Sequence, residues 1–171
     1  MIFNLFLLFA VIFLLIILSM LWPPDSPWAP WWRTSDKIAK KVCRLANVKK
    51  GDLIFELGSG DAQTLITACK KFQARGIGIE IDPLRVAISR LRIKSNGLSK
   101  EIKIIRGNFF DQDLSTADVI FVYLVPKTLD KLLPKFKKEL KKGTKIVSYK
   151  YKMKIQEEIY DKSAELFLYT I

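Results

Sequence analysis

The sequence predicts an α/β fold: an open, mostly parallel sheet with helices on both faces, preceded by one N-terminal apolar helix. Three observations carry that expectation. Short apolar runs of strand length alternate with segments whose apolar residues recur at helical spacing, the pattern of successive strand–helix units. One of those units, Leu53 to Gln63 (LIFELGSGDAQ), ends its strand in an acid and breaks into glycine, serine, glycine before helical spacing resumes. Residues 2–22 contain no charged side chain at all.

Taken in order, the chain begins with that uncharged run, which only Asn4 and Ser19 interrupt. It reaches the ~20 residues that cross a ~30 Å hydrocarbon core, so residues 1–22 are expected to form a transmembrane anchor. A cleaved signal peptide is the rival, but no basic n-region and no small-x-small site frame the run. Residues 23–34 form a linker, in which Trp28, Trp31 and Trp32 alternate with prolines; with Trp22 they suit a headgroup layer, or a stem folded back on the following domain. Arg33, Lys37, Lys40 and Lys41 follow, while no basic side chain precedes the run. The positive-inside rule then expects a single-pass membrane protein with its C-terminal domain, residues 35–171, in the cytoplasm.

Within that domain Ser35 is placed to cap a helix to about Ala46, with Ile38, Val42 and Leu45 on one face. Leu53–Leu57 reads as a buried strand and Asp61–Phe72 as a helix. Ile77–Ile81 is the second strand. Asp82 and Pro83 start the next helix, expected to turn Leu84, Ile88 and Leu91 inward and to stop at Asn96-Gly97. Strands are expected at Ile102–Arg106 and Val119–Val122, joined by a loop too short for a long helix. A helix over Lys127–Leu140 contains Pro134 as a kink or restart, and a strand spans Lys145–Tyr149. The end of the chain reads as a short helix around Gln156–Lys162 and a last strand over Leu166–Ile171.

Composition narrows the chemistry. The 171 residues carry 29 Lys and Arg against 17 Asp and Glu, a formal charge of +12, and no histidine. Without histidine there is no Ser-His or Cys-His nucleophile pair, and the commonest metal ligand is missing; no metal site is expected. Cys43 and Cys69 fit no zinc or redox spacing and read as small core residues. Basic residues from Lys131 to Lys145 crowd one region, by default a solvated face, with an anionic lipid surface as the expected partner ahead of nucleic acid.

The chemistry-bearing residues converge. Glu56 closes the first strand, Gly58, Ser59, Gly60 and Asp61 make the turn, and Glu80 with Ile81 ends the second strand about twenty residues later, the spacing that sets an acid beside a ribose. No further glycine stands at Gln63 and no Gly-Lys-Ser/Thr occurs, so a pyrophosphate fits poorly. Asn108, Phe109 and Tyr123 fall at the same ends of later strands; singly, each is equally well a turn or core residue.

With these residues the sequence resembles the class I S-adenosylmethionine (SAM) dependent methyltransferases, roughly from Ser35 to Tyr149. That resemblance implies a Rossmann-like sheet, SAM as cofactor, Glu80 on the ribose, Gly58 to Asp61 along the methionine end, and Asn108 and Phe109 at the adenine. Within the class, ELGSGD, GIEIDP, GNFFD, DVIFVYLVP and KIVSYKY look like the non-SET lysine methyltransferases, above all the small membrane-anchored type that modifies the ATP synthase c-subunit. The likeness implies N-methylation of a lysine on a membrane protein, with Tyr123 as the first candidate for a wall of the amine slot. Ala62 stands where that pattern usually has glycine, and Trp31-Trp32 where it is less bulky, which leaves Thr34 and Ser35 without an assigned role. A methyltransferase for a lipid, quinone or other small molecule shares every feature up to the acceptor pocket, and a non-catalytic adaptor retaining the fold is the other alternative.

Overall fold

The computed structural model describes residues 2–21 and 32–171, with side chains described at 5–16 and from 32 onward. Helix α1 (Ile2–Leu21) is 20 residues long and uncharged, and its described large apolar side chains, Leu5 to Ile16, are exposed. Among the described residues no helix is long and apolar enough to cross a membrane. The stretch with described side chains is only about 18 Å long at ~1.5 Å per residue, and the expected span reaches beyond it at both ends. Trp22 at the end of the expected anchor, and Trp28 and Trp31 of the linker, lie outside the described residues.

The rest is a seven-stranded sheet in the order β3-β2-β1-β4-β5-β7-β6. Strands β1 (Leu53–Leu57), β2 (Arg75–Glu80), β3 (Ile102–Arg106), β4 (Val119–Val122) and β5 (Lys145–Tyr149) are parallel, and β7 (Leu166–Thr170) and β6 (Ile159–Asp161) add an antiparallel edge. Helices α2 (Asp36–Leu45), α3 (Gln63–Phe72) and α4 (Pro83–Ser95) bury one core with Ile54 and Phe121, whereas α5 (Pro126–Glu139) buries the other with Phe55, Leu57 and Val122. Strand alternation explains the division: Ile54 and Glu56 point to the α3 face, Phe55 and Leu57 to the α5 face. The chain leaves β1 toward β2 and β3, then returns to β4 on the other side of β1. A crevice opens at that reversal, where an α/β sheet binds ligands.

Caps follow the sequence. The Ser35 hydroxyl accepts from Ile38 N at 3.2 Å, and Asp82 accepts from Leu84 N and Arg85 N at 2.8 and 3.0 Å, with Pro83 at the first helical position. Pro134 lies inside an unbroken α5. Two expectations need correcting. In α4 the buried residues are Val86, Ser89 and Ile93, while Leu84 and Leu91 are 44% and 68% exposed. Apolar residues occur all round this helix, so spacing alone does not choose the inward face. The expected helix at Gln156–Lys162 is instead the strand β6, because the free edge of β7 captures it: Glu158 N donates to Leu168 O at 2.8 Å, and Tyr160 stacks on Phe167 with centroids 4.4 Å apart.

Candidate active site

The turn after β1 forms the floor of the crevice. Gly58 and Gly60 take φ of +76° and +51°, which a side chain resists, and Gly58 N and Ser59 N both donate to Ile79 O, at 2.9 and 3.1 Å. Ala62, where the family pattern favours glycine, also sits in the left-handed region at φ +59°. An L-residue there costs roughly 1–2 kcal/mol, which accounts for the usual glycine. Beneath the turn, β2 must present no side chain: a Cβ on Gly78 would stand 2.6 Å from both Ser59 Oγ and Ile104 Cδ1.

Three buried acids line the crevice, each in a different state. Glu80 is held by backbone donors, Gly60 N to Oε2 at 2.9 Å and Asp82 N to Oε1 at 3.0 Å, which fixes the carboxylate and leaves lone pairs toward the crevice. Asp61 is clamped by two guanidinium groups. Arg33 Nε lies 2.7 Å from Oδ2, Arg92 pairs with the same oxygen, and Arg92 also donates to Asp61 O at 2.8 Å and to Gln63 Oε1 at 2.7 Å. Its side chain is therefore a brace for the turn, and the residues from Gly58 to Asp61 line the crevice.

Glu56 is 5% exposed, and its Oε2 has no hydrogen-bond partner among the described residues. Burial pushes its carboxyl up to about 8, the charges of Asp61 and Glu80 push the same way, and Thr64 and the Leu65 N–H at the start of α3 offset part of the rise. The Thr64 hydroxyl is near enough to act on Glu56 but is not aligned as a hydrogen bond, and it too is unpartnered, as is Ser59 Oγ.

At the far side Asn108 Oδ1 accepts from Phe110 N at 3.1 Å, capping a 3₁₀ turn (Phe109–Asp111) and leaving its amide N–H groups free to donate. Phe109 lies against Phe110, centroids 4.9 Å apart. Past β4, Tyr123 packs on Tyr149 at 4.5 Å and nears Tyr151 at 6.4 Å, and burial raises its hydroxyl pKa. At neutral pH it is a phenol, a wall or hydrogen-bond partner and no phenolate base.

One crevice gathers all ten residues that the sequence singled out: Glu56, Gly58, Ser59, Gly60 and Asp61 from the turn, Glu80 and Ile81 from β2, Asn108 and Phe109 after β3, and Tyr123 after β4. Ser35 caps α2, whereas buried Thr34 and exposed Trp32 line the crevice mouth with Arg33. Sequence reasoning missed Arg33 and Arg92, whose pairing with Asp61 spans 28 and 31 residues. The signal available was the neighbouring charge of opposite sign, common to any basic surface.

SAM fits these residues. Buried polar atoms of Glu56 and Ser59 have no hydrogen-bond partner among the described residues, acids outnumber bases along the crevice, which suits a cationic sulfonium and ammonium, and Glu80 is oriented to accept from a diol. Residues 56–158 match the model of the ANTKMT methyltransferase domain. A protein-lysine N-methyltransferase of Saccharolobus islandicus (strain REY15A) is 34% identical over 136 residues, 79% of this chain and 83% of the relative. The lysine N-methyltransferase of Caenorhabditis elegans named for the ATP synthase c-subunit is 30% identical over 103 residues, and the match spans 60% of this chain and about half (53%) of that protein. Among solved structures, an RNA methyltransferase from Salinibacter ruber in complex with S-adenosyl-L-homocysteine superposes with a TM-score of 0.79 at 32% identity, over 82% of this chain and 94% of that one. The chain belongs to the ANTKMT methyltransferase domain family, and its enzyme class is that of a SAM-dependent transferase.

Proposed function

We propose that the chain transfers a methyl group from SAM to the side-chain amine of a lysine on a membrane-associated protein. The observation that carries this reading is the aromatic wall of Tyr123 and Tyr149 beside a crevice built for SAM. SAM, when bound, supplies a methyl group already activated by its sulfonium. The protein's part is to hold Glu80 on the ribose, to present the Gly58–Asp61 backbone, and to line up an amine with the aromatic wall. A lysine near pKa 10.4 is neutral only about one part in 10³ to 10⁴ at pH 7. Desolvation by Tyr123, Tyr149 and Phe109 and repulsion from the adjacent sulfonium both favour the neutral amine that must attack. Lysine is also the substrate in the names of the Saccharolobus and Caenorhabditis relatives.

For the membrane, the support is the uncharged 20-residue α1 with its exposed apolar side chains. An anchor there, with the domain on the cytoplasmic side, would confine the active site near the headgroups and raise the effective concentration of targets in the same bilayer. The lysine-rich face of α5 would lie against anionic lipid. RNA is the second reading, favoured by the +12 charge and by the substrate in the name of the Salinibacter relative. Methyl-labelled SAM incubated with membranes and RNA from a strain lacking the gene separates these: label in a protein band as methyl-lysine supports the proposal, and label in RNA, lipid or quinone overturns it. Protease added to sealed vesicles tests the orientation, which fails if the domain is cut from the outer face.

A further inference from the structure

A lysine of the chain itself rests against the aromatic wall beside the crevice. Lys150 directly follows β5, and its Nζ stands 5.7 Å from the ring centroid of Tyr123 and 5.6 Å from that of Tyr149. Tyr123 lines the crevice, so this amine sits beside one of the crevice's own walls. The placement is imposed by the backbone. Lys150 takes φ of +65°, in the left-handed region that lysine rarely adopts, and its N–H donates to Glu165 O at 2.7 Å, tying the turn after β5 to the strand pair at the sheet edge. Strain at a non-glycine residue beside a binding site persists only where the surrounding structure enforces it.

From this geometry we propose that Lys150 is a site of methylation in cis: the chain modifies its own amine. The inference rests on the reading of the crevice as a SAM site. Ammonium at rest over two tyrosine rings is favoured by the cation–π contact, and the neighbouring Tyr123 hydroxyl holds the Lys150 pKa above its usual value. A sulfonium brought within several ångströms acts the other way. Two unit charges about 4 Å apart repel by roughly 1–4 kcal/mol at effective dielectrics of 80 to 20, which lowers the amine pKa by about one to three units. Lys150 is exposed, so its proton leaves to water. The neutral Nζ lone pair then forms the N–C bond as the S–C bond breaks; S-adenosylhomocysteine departs and the product is a methylammonium. Further rounds each release one proton and add one methyl. Every product keeps its positive charge, so it can return to the same aromatic seat.

The test incubates the purified full chain, in detergent micelles, with methyl-labelled SAM and no other protein, and follows peptide masses. The expected result is label on the peptide containing Lys150, lost in Lys150→Arg, at a rate per chain that stays constant over a tenfold range of protein concentration. A rate proportional to concentration, or label on other lysines with none on Lys150, overturns the inference. Calorimetric binding of SAM by the same sample separates the two claims. A chain that binds SAM and methylates a membrane protein while Lys150 stays unmodified overturns this inference alone; a chain that binds no SAM overturns the crevice reading and the inference with it. A readout without cofactor tests the seat: acetylation of Lys150 by an N-hydroxysuccinimide ester should run several-fold faster in Tyr123→Ala than in the parent, and equal rates count against the placement.

Discussion

Glu56→Gln should change the pH dependence of stability more than any other single substitution in the crevice. In the folded chain the Glu56 carboxyl is raised from 4.5 to about 8, chiefly by burial, and its Oε2 has no partner among the described residues. The folded state therefore holds the proton more tightly than the unfolded state. Stability from this group is present in full below pH ~4.5 and is lost as pH rises toward about 8, at about 1.4 kcal/mol per pH unit. Over the whole window the loss is roughly 4–5 kcal/mol, and between pH 5.5 and 7.5 about 2–3 kcal/mol. Carboxylates with lowered pKa values, Asp36 and Asp118 among them, contribute with the opposite sign and lose their contribution only as pH falls through the acid range. Glutamine cannot ionise, so the variant should gain on the parent by that 2–3 kcal/mol over the same two pH units. Urea unfolding of both full chains in the same detergent at pH 5.5, 6.5 and 7.5 measures it. Parallel lines for parent and variant would refute a buried, proton-holding Glu56. The same proton links to ligand: a cationic end entering beside Glu56 drives it off, so parental SAM affinity should climb by up to tenfold per pH unit below 8, while Glu56→Gln stays flat.

Other substitutions test the remaining parts of the site. Glu80→Ala removes the acceptor of Gly60 N and Asp82 N as well as the proposed ribose partner, and SAM affinity by calorimetry should fall ten- to a hundredfold, about 1.5–3 kcal/mol; unchanged affinity would remove Glu80 from the cofactor site. Gly78→Ala drives a methyl group into Ser59 Cβ, 2.8 Å from the ideal Cβ position, and should lower stability by about 1–3 kcal/mol and weaken SAM binding together, whereas a loss of neither would show that the turn does not rest on β2. Asp61→Asn frees Arg33 and Arg92 from their shared anion and should raise the dissociation constant for SAM without abolishing folding, read by calorimetry and circular dichroism; equal affinity would mean that the clamp does not hold the turn. Tyr123→Phe keeps the ring that faces Tyr149 and should keep most methyl transfer, while Tyr123→Ala should lose it; equal loss in both would restore a proton-transfer role to the hydroxyl.

The sequence by itself determined what short-range patterns encode. Leu53–Leu57, Ile102–Arg106, Val119–Val122 and Lys145–Tyr149 emerge as strands with the same limits in sequence and structure, because short runs rich in apolar residues and the glycines, acids and caps that flank them are local signals. The convergence of Glu56, Gly58, Glu80, Asn108 and Tyr123 was legible for the same reason: strand ends in an α/β sheet all point to one edge. Tertiary structure alone decided the rest. Which side of α4 turns inward depends on the sheet it meets, since Leu84, Val86, Ile88, Leu91 and Ile93 cover the helix all round. Whether Gln156–Lys162 becomes helix or strand depends on an open edge at β7 that forms from residues further along the chain. The Arg33–Asp61–Arg92 clamp and the seat of Lys150 over Tyr123 join residues about 27 to 31 positions apart, and Glu56 keeps its proton because the fold buries it beside Asp61 and Glu80. Pairing, burial and a shifted pKa are properties of neighbours in space, and a linear sequence does not specify those neighbours until the sheet has closed around them.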